Sequence, residues 1–211
     1  HSSYGAHMTG LLLDSLDRLG IKYTHISGKT AYKRGLLVNQ IDMILKNHER
    51  IGKSIAKIVG QEKYMRSLPY FPICDKCGRV YVASSREYFS DKRVVEYQCQ
   101  GARIGDVHIE GCGYLGETYL EEGNGKLPWK VEFAARWQAF DIRFEAYGKD
   151  ILDSVRINDW VSDEILQFPH PMHIKYEMFL DKGGKKISKS SGNVLTPQTW
   201  LKYGTPESLL L

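Results

Sequence analysis

The sequence of 211 residues has no long hydrophobic run. No apolar stretch approaches the roughly 20 residues that a membrane-spanning helix needs. The start of the chain also lacks the charged, apolar and small-residue regions of a secretory signal peptide. We therefore expect a cytoplasmic protein without membrane contact. Since 42% of its residues are hydrophobic, the chain can form a core in one large domain or two small ones.

An excess of charge of one sign is also missing. The sequence has 29 Lys and Arg residues against 25 Asp and Glu residues, which gives a formal net charge of +4. A balance this mild permits contact with nucleic acid but does not argue for it. Net charge therefore does not indicate the class of protein, whereas the sequence motifs do.

The chain divides into four segments. Residues 1–8 have no hydrophobic period and are interpreted as a purification-tag remnant. Residues 9–67 are predicted to be mainly helical, and residues 68–125 carry all the cysteines. Residues 126–211 alternate between strand and helix patterns. We expect a domain boundary near Ser67, before the turn-rich stretch that leads to the cysteines.

The helical segment is predicted from its leucine and isoleucine spacing. A helix beginning near Leu11 ends at Gly20, and Ile21–Ile26 is predicted as a short strand. A longer helical region covers Ala31–Val59, with a break expected at Asn47–His48.

Cysteine is scarce, and all of it lies in one stretch. The four residues form the pattern Cys74-x-x-Cys77-Gly78, then Cys99, then Cys112-Gly113. Clustering of this kind in a cytoplasmic chain favours zinc over disulfides. A Cys-x-x-Cys-Gly turn directs both thiolates at one ion and turns backbone amides toward the sulfurs, and four sulfurs close a tetrahedral structural site. We predict structural zinc at these four cysteines.

The strands expected around this site are Val80–Ala83, Val94–Gln98 and Gly113–Leu120, which would form a zinc-ribbon hairpin. The irregular loop between the last two cysteines contains His108, so a site of Cys74, Cys77, Cys112 and His108 is a minor variant. A degenerate site, or reduced cysteines without a metal, would also fit the pattern. Catalytic zinc is disfavoured, because four thiolates leave no position for water.

The last segment has the pattern of a nucleotide-binding sheet. A short helix around Trp137 is followed by a predicted strand over Ile142–Tyr147, then Gly148-Lys149-Asp150, then a helix over Ile151–Leu166. A glycine at the carboxyl end of a strand, followed by Asp and a helix, is typical of the crevice of a doubly wound sheet. Gly148 would allow close approach, and Asp150 would accept hydrogen bonds from ribose hydroxyls.

A loop rich in lysine, serine and glycine follows, from Gly183 to Asn193. A strand-like run over Tyr176–Leu180 precedes it, and a helix is predicted to begin at Thr196-Pro197, with Thr as N-cap and Pro at the first helical position. Lysine is a compact charge with rotatable donors, so Lys186 and Lys189 suit a polyphosphate. An ordinary solvated loop is the alternative.

Within this loop, Lys186-Ile187-Ser188-Lys189-Ser190 resembles the KMSKS signature of class I aminoacyl-tRNA synthetases, with Ile in place of Met. Together with the order of several further stretches, this makes nearly all of Leu11 to Leu211 similar to class I lysyl-tRNA synthetase. These stretches are Leu127–Glu132, Ala135–Trp137, Tyr147–Asp150, Tyr176–Leu180 and Lys185–Val194. The resemblance implies an α/β fold, namely the second half of a Rossmann catalytic domain with an inserted helical and zinc-ribbon-like subdomain.

The same resemblance implies a reaction and its partners. Lysine and ATP, the latter with Mg²⁺, would give lysyl-adenylate and pyrophosphate, and lysine would then pass to tRNA(Lys). The residues implied to act are Lys186 and Lys189 on the pyrophosphate, Ser188 and Ser190 in the ATP-binding loop, Gly148 and Asp150 on the adenosine, and Trp129 with Ile151 in the lysine pocket. A core position for Trp129 is the alternative. Many relatives carry His where this chain has Ile151.

One family motif is missing. The sequence contains no His-x-Gly-His or similar adenylate-binding motif, and His170-Pro171-Met172-His173 is interpreted as an ordinary loop. We therefore expect an internal fragment that does not activate lysine alone, although its parent enzyme would. Two other hypotheses are a class I synthetase for methionine or glutamate, and a non-catalytic zinc-ribbon module that binds RNA. The module would use basic residues interleaved with tyrosines, namely Arg79, Arg86, Lys92 and Arg93.

Overall fold

The structure, a computed structural model, describes residues 3–187 and 192–210. Its helices are α1 (Tyr4–Arg18), α2 (Gly28–Lys33), α3 (Val38–Lys46), α4 (His48–Val59), α5 (Trp129–Ala139), α6 (Leu152–Glu164), α7 (Pro197–Trp200) and α8 (Pro206–Leu210). Its strands are β1 (Phe71–Pro72), β2 (Ala83–Phe89), β3 (Val94–Cys99), β4 (Gly101–Ile104), β5 (Val107–Glu110), β6 (Leu115–Tyr119), β7 (Gly125–Lys126), β8 (Phe144–Gly148) and β9 (Met172–Tyr176).

The chain forms two compact units. One is Ile26–Tyr176, and the other combines the described residues of His1–His25 and Glu177–Leu211. The predicted boundaries after residues 67 and 125 do not separate units, because one core draws buried residues from both sides of each boundary. They mark changes of secondary-structure type within the larger unit.

Helices α2 to α4 supply one side of that core. Ser27 caps α2, since its hydroxyl accepts a hydrogen bond of 3.0 Å from the Thr30 amide. The predicted break is confirmed: α3 ends at Lys46 and α4 begins at His48. Helix α4 ends at Gly60, whose φ of 70° is the left-handed conformation expected of a glycine cap.

Helices α5 and α6 supply the other side of the core. Val131, Ala134 and Trp137 of α5 are buried in the same cluster as Val155 and Ile157 of α6. The two helices therefore pack against each other through the faces that carry these buried residues.

The cysteine-bearing stretch forms small antiparallel sheets. Strands β2, β3 and β6 make a three-stranded sheet, β4 pairs with β5, and β1 pairs with β7. The expected strand over Val80–Ala83 is wrong, because β2 begins only at Ala83 and Tyr81 has a φ of +70° that a regular strand does not accommodate. The irregular loop between Cys99 and Cys112 is mostly the β4–β5 hairpin.

Strands β8 and β9 are parallel and are joined through α6. This β–α–β unit agrees with the α/β expectation. His173 lies within β9, so the interpretation of His170–His173 as an ordinary loop is wrong for its second half. The strand predicted over Tyr176–Leu180 lies too late: β9 ends at Tyr176, opposite Gly148, where β8 also ends and no longer offers a hydrogen-bonding partner.

The smaller unit contains α1, α7 and α8. Helix α1 begins at Tyr4, where the Ser3 hydroxyl accepts a hydrogen bond of 3.0 Å from the Ala6 amide. Residues 4–8 therefore belong to a capped helix, which their interpretation as a tag remnant did not anticipate. The strand expected over Ile21–Ile26 is wrong, since these residues have no strand conformation and pair with no neighbouring strand.

The predicted start of α7 is confirmed, because the Thr196 hydroxyl caps it by accepting a hydrogen bond of 3.2 Å from the Thr199 amide. Among residues 3–187 and 192–210, no helix is long and apolar enough to cross a membrane.

Candidate metal centre and nucleotide-site residues

The four cysteines converge from separate parts of the chain. Cys74 and Cys77 lie in the turn after β1, Cys99 ends β3, and Cys112 follows β5. Their four sulfur atoms lie within 4.8 Å of one another. The Sγ atoms of Cys74 and Cys112 are 3.6 Å apart, and those of Cys77 and Cys99 are 3.8 Å apart. The fold therefore brings together four cysteines that are 38 residues apart at the extremes.

These separations match a metal site rather than disulfides. A disulfide needs sulfurs about 2.05 Å apart, and all four cysteines are free. In a tetrahedral site with Zn–S bonds of about 2.3 Å, neighbouring sulfurs lie about 3.8 Å apart. The two distances of 3.6 and 3.8 Å are close to that tetrahedral edge, and the other sulfur pairs lie within 4.8 Å. The four cysteines can therefore hold one metal ion without large movement of the backbone.

Backbone amides face the sulfurs, as the Cys-x-x-Cys-Gly pattern predicts. The Cys112 amide donates to Cys99 Sγ over 3.4 Å, and the amides of Lys76 and Cys77 partly offset the rise that burial causes in the pKa of Cys74. Gly78 and Gly113, which follow the second cysteine of each half, have φ of +68° and +74°. That left-handed conformation suits glycine and lets the chain turn away from the metal position.

The environment acts differently on the individual thiols. The Arg79 backbone amide lowers the pKa of Cys77 to about 7. Burial raises the pKa of Cys99 to about 12 and also raises that of Cys74. Buried thiolates are costly unless a positive charge compensates them, and a bound divalent cation would supply that charge.

Tyr97 supports the cysteine cluster, and the sequence reasoning missed it. Its hydroxyl donates to Asp75 Oδ2 and accepts from the Asp75 amide, each over 3.0 Å. Asp75 is the first residue between the paired cysteines, so this contact fixes the turn. Tyr97 lies two residues before Cys99 on β3, and both are buried. The period of two in a strand was the available signal, because it places Tyr97 and Cys99 on one face.

His108 does not join the cluster. It is exposed on β5, paired with Arg103, and the group of potential metal ligands found among the described residues contains only the four cysteines. The minor variant with His108 in place of Cys99 therefore has no support from the geometry.

The basic residues of the RNA-binding hypothesis are partly neutralised within the protein. Arg93 lies 3.4 Å from Glu121 and 3.9 Å from Asp42, and Arg86 lies 4.0 Å from Glu96. Arg79 donates to the Glu110 carbonyl over 3.2 Å. Charges that already have acidic or carbonyl partners contribute less to phosphate binding, so the arrangement does not favour a separate RNA-binding module.

Gly148 and Asp150 lie where the sequence pattern placed them. Gly148 is the last residue of β8, and Asp150 lies in the short 3₁₀ turn before α6. A Cβ atom added at Gly148 would lie 2.8 Å from Asp150 Oδ1 and 3.4 Å from the Tyr176 ring. A Cβ atom at this position would therefore displace the Asp150 carboxylate. The carboxyl end of a parallel strand is the usual place for a nucleotide in such sheets.

Trp129 and Ile151 occupy different environments. Trp129 begins α5 with 55% of its surface exposed, so it is not a core residue. Its ring centroid lies 5.8 Å from that of Phe133. Ile151 is partly buried against the main core. An exposed indole next to a second ring is available to a ligand, whereas Ile151 also has a packing role.

The base of the lysine-rich loop is described, but its centre is not. Lys186 is exposed and forms an isolated antiparallel bridge with Leu180. Lys189, Ser188 and Ser190 lie outside the described residues, so their predicted roles stay predictions. Lys186 belongs to the smaller compact unit, whereas Gly148, Asp150, Ile151 and Trp129 belong to the larger one.

Sequence reasoning also missed the role of Asp181, which organises the base of this loop. Asp181 Oδ1 accepts hydrogen bonds of 2.9 Å from the amides of Gly183 and Lys185. Its Oδ2 accepts one of 2.8 Å from the Asn193 side-chain amide. The signal in the sequence was an Asp two residues before a Gly-Gly pair, a pattern typical of an Asx turn.

One protein-family model matches the chain. The model described as tRNA synthetases class I (K) matches residues 1–211. The chain therefore belongs to this family of class I tRNA synthetases, which confirms the resemblance seen in its motifs. The matched range includes residues 1–8, which does not fit their interpretation as a tag remnant.

Individual relatives agree with the family. The chain is 64% identical over 211 residues to a lysine–tRNA ligase of Cenarchaeum symbiosum, covering 100% of this chain and 40% of the relative. It is 62% identical over 211 residues to a lysine–tRNA ligase of Cenarchaeum symbiosum strain A, with the same coverage. A lysine–tRNA ligase of Rickettsia conorii is 32% identical over 209 residues, covering 99% of this chain and 38% of the relative. The chain thus spans about two fifths of the length of these curated relatives.

Proposed function

We propose that this chain is part of a lysine–tRNA ligase that activates lysine with ATP and transfers it to tRNA(Lys). The observation that carries the proposal is 64% identity over all 211 residues to a lysine–tRNA ligase. The family match over residues 1–211 supports the same reaction class. We further propose that the enzyme acts in the cytoplasm, where protein synthesis uses its product.

The proposed reaction has two steps. In the first, a lysine carboxylate oxygen attacks the α-phosphorus of ATP, and the bond from that phosphorus to the bridging oxygen breaks. Pyrophosphate leaves with that oxygen, and lysyl-adenylate remains. In the second, a terminal hydroxyl of the tRNA attacks the lysyl carbonyl carbon, AMP leaves with its phosphate oxygen, and the hydroxyl proton is released. The protein contributes positioning and charge stabilisation to both steps.

The proposed roles follow the chemistry of each side chain. Lys186 and Lys189 would stabilise the negative charge that develops on the departing pyrophosphate, and the ATP would carry Mg²⁺. Ser188 and Ser190 would contribute to ATP binding in the same loop. These roles rest on the family match and on the motif in the sequence.

In the larger unit, Gly148 and Asp150 would bind the adenosine. The close approach at Gly148 and the position of Asp150 in the turn after β8 support this assignment. Trp129 would line the lysine pocket, because an aromatic face attracts an ammonium group, and its exposure leaves that face accessible. Ile151 would border the same pocket.

We propose that Cys74, Cys77, Cys99 and Cys112 hold a structural Zn²⁺. The support is the tetrahedral spacing of the four sulfurs and the amides that face them. Four sulfur ligands leave no open coordination position, so the ion would cross-link the β1–β2 turn to the ends of β3 and β5 and would take no part in the reaction.

The test is lysine-dependent exchange of labelled pyrophosphate into ATP by the full-length protein. We expect exchange with lysine and little with methionine or glutamate. In the same assay, Lys186→Ala and Lys189→Ala should each lower kcat by about 10²-fold or more, while lysine binding, measured by calorimetry, changes little. Exchange that depends on a different amino acid would overturn the proposed substrate, and equal loss of exchange and lysine binding would overturn the proposed roles of the lysines.

A further inference from the structure

The loop that contains Lys186 is closed at its base by one carboxylate. Asp181 precedes the loop, and Asn193 is its last residue. The Asn193 side-chain amide donates to Asp181 Oδ2 over 2.8 Å. Because the two residues are 12 positions apart in sequence, this bond joins the two ends of the loop directly.

Asp181 also shapes the entry to the loop. Its Oδ1 accepts from the amides of Gly183 and Lys185, each over 2.9 Å. Its own amide donates to the Lys185 carbonyl over 2.8 Å, and its carbonyl accepts from the Gly184 amide over 3.0 Å. The carboxylate and the backbone of one residue therefore hold the tight turn that leads to Lys186. Gly184 has a φ of +74°, which this turn requires.

The same amide group reaches Lys186 itself. Asn193 Nδ2 donates to the Lys186 carbonyl over 3.3 Å in addition to its bond with Asp181. On the other side, the Ile187 amide donates to the Phe179 carbonyl over 2.9 Å. The backbone around Lys186 is thus tied both to a residue before the loop and to the last residue of the loop.

The charge state of Asp181 suits this role. Hydrogen bonds from Asn193, and then from the amides of Lys185 and Gly183, hold its pKa below the ordinary value. The group is therefore an anion at neutral pH that can accept all three hydrogen bonds at once. Charge-assisted hydrogen bonds of this kind are stronger than neutral ones.

We infer that Asp181 and Asn193 are positioning residues that set the place of Lys186 for its action on the ATP phosphates. The inference rests on the proposed function for the role of Lys186, and on the hydrogen bonds above for the arrangement. Neither residue is expected to touch the substrate. A lysine on a long flexible stem stabilises a moving charge only if its backbone is fixed, because misplacement by about 1 Å can cost 10²-fold in rate.

The first test compares variants of the full-length protein in pyrophosphate exchange. Asp181→Ala and Asn193→Ala should each lower kcat by about tenfold, with KM for lysine changed by less than about twofold. The matched control is Asp17→Ala, which removes an exposed carboxylate of the same compact unit, one that accepts from the Tyr23 hydroxyl over 3.0 Å. It should leave kcat unchanged. An equal loss of kcat in the control would overturn the inference.

A swap separates positioning from general stability. With Asp181→Asn and Asn193→Asp combined, the side chains at the two positions can again donate and accept between each other. The new carboxylate at position 193 cannot donate to the Lys186 carbonyl. We expect the swap to restore slow hydrogen exchange at the amides of Gly183 and Lys185, while kcat stays below that of the wild type. Full recovery of kcat would show that the bond to Lys186 is not needed and would overturn that part of the inference.

Hydrogen exchange tests the arrangement without relying on activity. The amides of Gly183 and Lys185 should exchange about fivefold faster in Asp181→Ala than in the wild type, since each loses one hydrogen bond. Unchanged exchange would overturn the inference whatever the kinetics show. If the wild type shows no lysine-dependent pyrophosphate exchange, the proposed function fails, and the role of Asp181 in holding the loop is then judged by hydrogen exchange alone.

Discussion

Replacement of Cys99 by serine is the sharpest perturbation of the proposed metal centre. Cys99 is fully buried, its sulfur lies 3.8 Å from that of Cys77, and it accepts a hydrogen bond from the Cys112 amide. A serine hydroxyl is a poor zinc ligand, and its oxygen lies closer to the backbone than the sulfur does. The remaining three sulfurs cannot complete a tetrahedral structural site.

The expected cost has two parts. Metal present at about 1,000 times its Kd stabilises the folded state by about 4 kcal/mol. Cys99→Ser loses this stabilisation because it no longer binds the metal. A buried hydroxyl without a full set of partners adds about 1–3 kcal/mol. The sum is comparable with the whole stability of a domain, about 5–15 kcal/mol. The strands around the site should therefore unfold locally.

Two measurements on the full-length protein check this. Elemental analysis should find one zinc per chain in the wild type and much less than one in Cys99→Ser. Limited proteolysis should cut the β4–β5 region of the variant and leave the wild type intact, because local unfolding exposes the chain. Removal of the metal from the wild type with a chelator should reproduce the proteolysis pattern of the variant.

Val82→Ala is the matched control. Val82 is buried in the same small cluster as Cys74 and Cys99 but has no ligand atom. Loss of two methyl-sized groups should cost about 2 kcal/mol, while the zinc content stays at one per chain. If the wild type is fully folded in this region with no bound metal, or if Cys99→Ser keeps its zinc, the reasoning from sulfur spacing is refuted.

Three further predictions concern the larger compact unit. Gly148→Ala places a methyl group 2.8 Å from Asp150 Oδ1 and should raise KM for ATP about tenfold in pyrophosphate exchange, whereas Gly5→Ala, in a helix with only a distant neighbour, should not. Asn158→Ala removes the acceptor of the Ala134 amide and the donor to the Trp129 carbonyl, so it should lower the free energy of unfolding by about 2–3 kcal/mol, while the exposed Arg156→Ala should change it by less than about 0.5 kcal/mol. Burial raises the pKa of Asp42, but hydrogen bonds from Lys46 and Tyr88 outweigh it, so the pKa lies below its ordinary value of 3.8. The ionised carboxylate therefore stabilises the folded state fully above pH 3.8, and this contribution is lost as pH falls through the folded-state pKa. In Asp42→Asn, the free energy of unfolding should therefore fall less steeply over that pH range.

The correct sequence predictions depended on local chemistry. The break between α3 and α4, the Thr196 cap and the glycine turns of the cysteine knuckles involve contacts between residues a few positions apart. Side chains and φ preferences at that range are present in the sequence itself. The wrong predictions concern strands. The run Ile21–Ile26 has a suitable composition, but a strand also needs a partner, which distant parts of the chain supply or withhold.

In the candidate site, too, local features were predicted from the sequence and long-range contacts were not. Sequence alone identified the four cysteines, the turn Gly148–Asp150 and the family motif at Lys186, because residue types at fixed spacing carry that chemistry. Only the tertiary structure placed the sulfurs of Cys74 and Cys112 at 3.6 Å, put Tyr97 against the turn at Asp75 and joined Asp181 to Asn193. These contacts connect residues 12 to 38 positions apart. Sequence spacing does not encode such distances, because the folding of the intervening chain determines them.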